Sequence, residues 1–84
     1  MSGLSLYQLY ACPFCVKTRR AIHKMNVDIE TKDIGKNQEH REALEAGGGR
    51  VKVPCLKIEE NNQVRWMYES KDIISFLEER VTAS

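Results

Sequence analysis

Cys12, Pro13, Phe14 and Cys15 stand between a short apolar run and a segment whose apolar residues recur at helical spacing, and this junction constrains the fold more than any other stretch. Leu4, Leu6 and Leu9, with Tyr7 and Tyr10, predict a first strand that ends at the cysteine pair. Beyond it, Cys15, Thr18, Ile22 and Met25, joined by Ala21, share one face of a helix, while Lys17, Arg20 and Lys24 fall on others. Proline is tolerated in the first helical turn, where a missing amide hydrogen has no bond to lose, so Cys12 is placed at the N-terminal cap. Asn26 ends the helix.

The rest of the chain alternates element types. Val27, Ile29, Thr31 and Asp33 alternate with Asp28, Glu30 and Lys32, the period of a half-buried strand, and Gly35 closes it. Residues from Asn37 to Ala46 favour a helix that offers only Ala43, Leu44 and Ala46 to a core, and Gly47, Gly48 and Gly49 read as a flexible turn. Val51, Val53, Leu56 and Ile58 predict a third strand interrupted by Pro54. After a turn at Asn61 and Asn62, a fourth runs through Val64, Trp66 and Tyr68 to form a hairpin with it. Ser70 opens a last helix, with Asp72 in its first turn and Ile73, Ile74, Leu77 and Val81 as its buried stripe. The order is βαβαββα. An α/β chain with a central four-stranded mixed sheet flanked by helices follows, because a parallel first pair needs a helical crossover and a closing hairpin does not.

Eighty-four residues are room for one domain, taken as 1–84. Thirteen basic groups against 12 acidic ones exclude a polycation built for nucleic acid or an anionic membrane surface. The first ten residues lack a secretory pattern, and no run approaches the roughly 18 apolar residues of a membrane span. A cytoplasmic monomer is the expectation. Cys12, Cys15 and Cys55 are an odd number, too few for a disulfide scaffold, which points to a reducing compartment.

A thiol at a helix N-terminus faces unpaired amides and the positive end of the helix dipole, which favours its thiolate. Cys12 is therefore the candidate nucleophile. Cys15, one turn in on the apolar face, is the candidate resolving thiol, close enough to attack a mixed disulfide at Cys12. Lys17, Arg19 and Arg20 lie past the first turn and read as a solvated face. A zinc site would need two further ligands, and Cys55, His23 and His40 are too scattered to supply a second knuckle, so no metal is expected.

Taken together, Tyr10, Ala11 and the Cys12–Pro13–Phe14–Cys15 motif, followed by Val53–Pro54 and by Glu69–Ser70 at the last helix, resemble a glutaredoxin along almost the whole chain. The resemblance implies a thioredoxin fold and a cis peptide bond before Pro54. It also implies a glutathione site: Pro13 and Phe14 beside the nucleophile, the Val53 backbone on the cysteinyl part, Glu69 and Ser70 on the γ-glutamyl end, and Arg50 on the glycine carboxylate. Phe14 replaces a frequent tyrosine, Leu9 a lysine and Lys52 a threonine. Lys52 reads either as a substitute cation or as edge protection. Cys55 is either a third redox thiol or an inert buried one, with burial favoured because free cysteines are among the most buried residues. Trp66 and Tyr68 are expected to pack the hairpin, and His23 and His40 to be exposed bystanders.

The implied activity is glutathione-dependent reduction of glutathione mixed disulfides and protein disulfides through Cys12 and Cys15. Glutathione is then the electron-donating co-substrate, and no bound cofactor is expected. Partners would be glutathione and glutathionylated or disulfide-containing proteins. Two alternatives are a module that shares a [2Fe-2S] cluster through Cys12 and glutathione, against which Pro13 counts, and a glutathione-transferase-like amino-terminal domain, which would need a helical second domain for its other substrate.

Overall fold

A computed structural model describes residues 3–83. Its elements are β1 (Leu4–Gln8), α1 (Pro13–Lys24), β2 (Glu30–Asp33), α2 (Gln38–Gly48), β3 (Cys55–Glu60), β4 (Gln63–Met67) and α3 (Ser70–Ala83). The expected βαβαββα order is present. The sheet runs β2-β1-β3-β4, with β1 and β2 parallel and the other two pairs antiparallel. This is the α/β thioredoxin fold.

Strand β1 lies between β2 and β3 with both faces covered, which is why all five of its residues are buried, Ser5 and Gln8 included. Its side chains still alternate between two cores, as the period of a strand requires. Leu4 and Leu6 join Ile22, Ile29, Leu56, Ile58, Ile73 and Leu77 beneath α1 and α3. Tyr7 joins Ile34, Leu44 and Cys55 on the other face, under α2. Each fully buried Leu or Ile contributes roughly 1.5–3 kcal/mol by leaving water.

Several boundaries differ from the sequence reading, for identifiable reasons. Strand β1 stops at Gln8, and Leu9 and Tyr10 are exposed, because the chain turns toward α1 there: the Cys12 amide bonds to the Leu9 carbonyl at 3.2 Å and the Tyr10 amide to the Asp33 carboxylate at 3.1 Å. Val51, Lys52 and Val53 precede β3 rather than belonging to it, so Pro54 introduces the strand instead of interrupting it. In α3 only Ile73 and Leu77 are fully buried, while Ile74 and Val81 are half-buried, since the helix meets the sheet along one i, i+4 line. Asn61 and Asn62, at φ 54° and 63°, make the expected tight hairpin turn.

The glycine run is the largest correction. Gly47 and Gly48 are the last two residues of α2, not a flexible turn, and Gly49 at φ 92° caps the helix in the left-handed region. Glycine is needed for close approach. A Cβ on Gly47 would stand 2.7 Å from Trp66 Cε2, and one on Gly48 would stand 2.8 Å from Tyr68 Cζ. Trp66 and Tyr68 accordingly pack beneath the end of α2, with Trp66 5.3 Å from the Tyr7 ring, rather than forming a pair that serves only the hairpin. His40 also leaves the role expected of it, meeting Tyr7 edge-on at 6.3 Å, whereas His23 is exposed.

Candidate active site

Strand directions bring distant segments to one end of the sheet. Tyr7 pairs with Cys55, and Leu56 with Met67. The exit of β1 toward Cys12, the entry of β3 at Pro54 and the exit of β4 toward Glu69 therefore emerge side by side. Cys12, Pro13, Phe14, Cys15, Val53, Pro54, Glu69 and Ser70 lie in these segments or in the first turn of α1 or α3, and Arg50 lies in the connection after α2.

Cys12 is the N-cap of α1, at φ −68° and ψ 125°, with Pro13 at the first helical position. Its thiol is partly exposed and not in a disulfide. Partial burial works against ionisation of Cys12, but the amide and thiol of Cys15, the amide of Phe14 and the Arg19 charge outweigh it and hold the thiol below its ordinary 9.0. Cys15 is the opposite case. It is fully buried, its sulfur accepts the Leu9 amide at 3.4 Å, and burial above all, together with the neighbouring Cys12, pushes it up to about 11. One helical turn thus separates an easily ionised sulfur from one that stays protonated. The Thr18 hydroxyl donates to the Phe14 carbonyl at 2.8 Å and steadies this turn, while the Phe14 ring itself is 62 % exposed.

Arg19 is not part of a solvated face. Its guanidinium bonds to the Gln8 side-chain oxygen, to the Tyr10 carbonyl at 2.7 Å and to the Leu9 carbonyl at 3.5 Å, and lies 4.9 Å from the centre of the Tyr10 ring. A planar fork of donors suits this task, which a lysine could not perform. Arg19 fixes the segment that delivers Cys12 and places a positive charge beside it. The available signal was its i+7 spacing from Cys12, which returns to the same helix face.

The Val53–Pro54 peptide bond is cis, as the resemblance implied. Lys52 lies in the connection before β3, not on a strand edge, and its ammonium pairs with the Glu69 carboxylate at 3.1 Å. Ser70 starts α3 beside it, and the Glu69 carbonyl accepts the Ile73 amide at 2.9 Å. Arg50 stacks over the Tyr68 ring at 4.6 Å, and its carbonyl accepts the Tyr68 hydroxyl at 3.0 Å. Arg50, Arg65, Trp66, Tyr68, Glu69 and Asp72 line, with Met67, one open recess of about 330 Å³. Arg50 thus lines the same recess as Glu69. Sequence reasoning gave Tyr68 only a packing role, although its ring carries Arg50.

Cys55 is fully buried against Tyr7 and Leu44, and burial pushes its thiol up to about 12 despite contact with the Tyr68 hydroxyl. It is the inert alternative. Among the described residues, no three His, Cys, Asp or Glu side chains converge as metal ligands, and no helix is long and apolar enough to cross a membrane.

Comparison with known proteins agrees with this geometry. No curated protein sequence matches the chain. Among solved structures, the Leishmania trimeric glutathione transferase TDR1 superposes with a TM-score of 0.73 and 27% identity, over 92% of this chain and 17% of that one. Wheat glutaredoxin superposes with 0.71 and 19%, over 99% and 82%. A maleylacetoacetate isomerase of Anaeromyxobacter dehalogenans, solved with glutathione in its active site, superposes with 0.71 and 22%, over 94% and 38%. The chain thus spans well under half of the transferase and of the isomerase. The profile of the Glutaredoxin family matches residues 4–62. With an ionisable Cys12 over a buried Cys15 at the head of α1, and that profile covering most of its length, the chain belongs to the glutaredoxin family of glutathione-related thiol oxidoreductases.

Proposed function

We propose that this protein reduces glutathione mixed disulfides and protein disulfides, with glutathione as the electron donor. The observation that carries the reading is the contrast between the two sulfurs of one helical turn, Cys12 held below 9.0 and Cys15 pushed up to about 11. In the first step the Cys12 thiolate attacks the glutathione sulfur of a protein mixed disulfide. The Cys12–glutathione disulfide forms, and the protein leaves as a thiolate that takes a proton from water. A glutathione thiolate then attacks that disulfide, releasing oxidised glutathione and restoring the Cys12 thiolate. One disulfide is reduced and two glutathione sulfurs become one disulfide, so the electrons balance.

In the second route Cys12 bonds to a protein disulfide, Cys15 displaces the protein as its second thiolate, and two glutathiones reduce the resulting Cys12–Cys15 disulfide. That route needs Cys15 as a thiolate, and burial, which pushes its thiol up to about 11, keeps it largely protonated at neutral pH until it attacks the disulfide on neighbouring Cys12. When Cys12 is in a disulfide its charge no longer opposes ionisation of Cys15, but the larger effect, burial, remains. Glutathione is expected to lie along Val53 and Pro54, with its γ-glutamyl end at Glu69 and Ser70, its glycine carboxylate toward Arg50 and its sulfur over Cys12, flanked by Pro13 and Phe14.

Reaction with oxidised glutathione followed by mass spectrometry tests the reading. The adduct is expected on Cys12. Cys12→Ser should abolish deglutathionylation, and Cys15→Ser should keep it while losing reduction of protein disulfides. Full activity in Cys12→Ser would refute the assignment. A second reading, the glutathione-binding half of a transferase, is favoured by the likeness to TDR1 and by Glu69 and Ser70 at the head of α3. Conjugation of glutathione to an electrophile by Cys12→Ser at the wild-type rate would support it over the first.

A further inference from the structure

The charge on this chain is nearly balanced as a whole but not locally. Helix α1 contains Lys17, Arg19, Arg20 and Lys24 and no acidic residue. None of the ion pairs among the described residues involves these cations. Lys17, Arg20, His23 and Lys24 are exposed, with Val16 and Arg19 half-buried between them. Val16, Arg19, Arg20, His23 and Lys24 line an open groove of about 510 Å³. The groove has a direction. At 1.5 Å per residue the groove runs down the helix from Val16, one turn past Cys12, to Lys24, for about 12 Å. Cys15, Thr18 and Ile22 face away from it, into the core.

Beyond the groove, on either side of Cys12 in the chain, Tyr10 and Phe14 leave apolar rings 69 % and 62 % exposed. The carboxylate next to Tyr10, Asp33, already accepts the amides of Tyr10, Gly35 and Lys36, and Lys36 lies 5.6 Å from the Tyr10 ring. On the α1 side of the site, Arg19, Arg20, Lys24 and Lys36 stand against the Asp33 carboxylate.

Resting on the function proposed above, we propose that the α1 face is a docking surface for acidic polypeptide substrates, holding carboxylates along Arg20, His23 and Lys24 while a neighbouring mixed disulfide meets Cys12. A polypeptide fits better than a nucleic acid, because the surface leads to a sulfur nucleophile and carries only a few charges on a chain of net +1. Complementary charge of this kind acts mainly on encounter and selectivity, and it fades with salt.

The test uses two glutathionylated peptides of equal length, one with glutamates and one with lysines around the single cysteine. At low ionic strength the acidic peptide is expected to show a kcat/KM about tenfold higher than the basic one, with the gap closing near physiological salt. Arg20→Glu combined with Lys24→Glu should remove or invert the preference without changing turnover of the small mixed disulfide of glutathione and 2-mercaptoethanol. Equal rates for the two peptides at low salt, or a preference retained by the double variant, would overturn the proposal. The same peptides with serine for cysteine, titrated onto the protein, report the surface independently of redox chemistry. Tighter binding of the acidic one supports the docking surface, and equal binding overturns it. Failure to turn over the small mixed disulfide overturns the function instead.

Discussion

Gly48→Ala separates what a helix prefers from what this packing allows. In a helix interior alanine is favoured over glycine by about 1 kcal/mol, and Gly48 has no left-handed backbone that would penalise a side chain. Local propensity therefore predicts stabilisation. The new Cβ, however, would overlap the Tyr68 hydroxyl and stand 2.8 Å from Tyr68 Cζ and 3.3 Å from Cε2. Tyr68 cannot yield without loss: its hydroxyl donates to the Arg50 carbonyl at 3.0 Å, and its ring lies under the Arg50 guanidinium and packs toward Cys55 and Leu44. Overpacking of this kind costs about 1–3 kcal/mol and the lost hydrogen bond about 1 kcal/mol, against about 1 kcal/mol gained from the helix. The net expectation is a loss of about 1–3 kcal/mol. In a domain of this size each kcal/mol moves the midpoint by roughly 4–8 °C, so Tm should fall by at least about 4 °C in a calorimetric scan. Because Arg50 rests on the displaced ring, KM for the glutathione mixed disulfide should rise as well. A Tm equal to or above wild type would show that α2 does not meet Tyr68 at this distance.

Burial of neutral thiols sets an alkaline limit. Cys15 and Cys55, pushed up to about 11 and about 12, hold protons in the folded chain that the unfolded chain releases near 9. Their contribution is complete below pH 9 and is lost as pH rises toward those values, by up to about 1.4 kcal/mol per pH unit for each group. Cys55→Ala should flatten that fall, as urea titrations at pH 8.5 and 10.5 would reveal. An identical fall in wild type and variant would contradict the burial argument. Arg19→Gln removes the fork that holds Gln8, Leu9 and Tyr10 and the charge near Cys12. The pH profile of Cys12 alkylation should move to higher pH, at a stability cost of about 1–3 kcal/mol, whereas Arg19→Lys should recover the profile more than the stability. Glu69→Gln breaks only an exposed ion pair, 62 % exposed at Glu69, so stability should change by less than about 1 kcal/mol. If its carboxylate holds the γ-glutamyl ammonium, KM for glutathione should rise about tenfold or more with kcat nearly intact, and an unchanged KM would remove Glu69 from the site.

Near-neighbour physics was enough to read much of this chain. Pro13 at the first helical position put Cys12 at the cap and Cys15 one turn below, because capping and helical spacing are local properties. The hairpin at Asn61 and Asn62 and the entry of α3 at Ser70 were legible for the same reason, and the Val53–Pro54 motif lies within the residues 4–62 that the Glutaredoxin profile matches. What local pattern does not contain is which surfaces meet. The strand that seemed to reach Tyr10 stops where Asp33, more than twenty residues away, takes the Tyr10 amide. Of the three glycines that read as a turn, Gly47 and Gly48 lie in a helix, where Trp66 and Tyr68 press against them from β4 and its exit. Arg19 read as solvated until the fold brought the exit of β1 under its guanidinium, and Lys52 stayed open between a substitute cation and edge protection until α3 set Glu69 against it. The sequence alone determined the candidate nucleophile, its place at the helix cap and the order of the elements, since these depend on residues within a turn of one another. The tertiary structure alone decided which charges and rings surround that sulfur, since those contacts join segments whose separation in the chain carries no pattern.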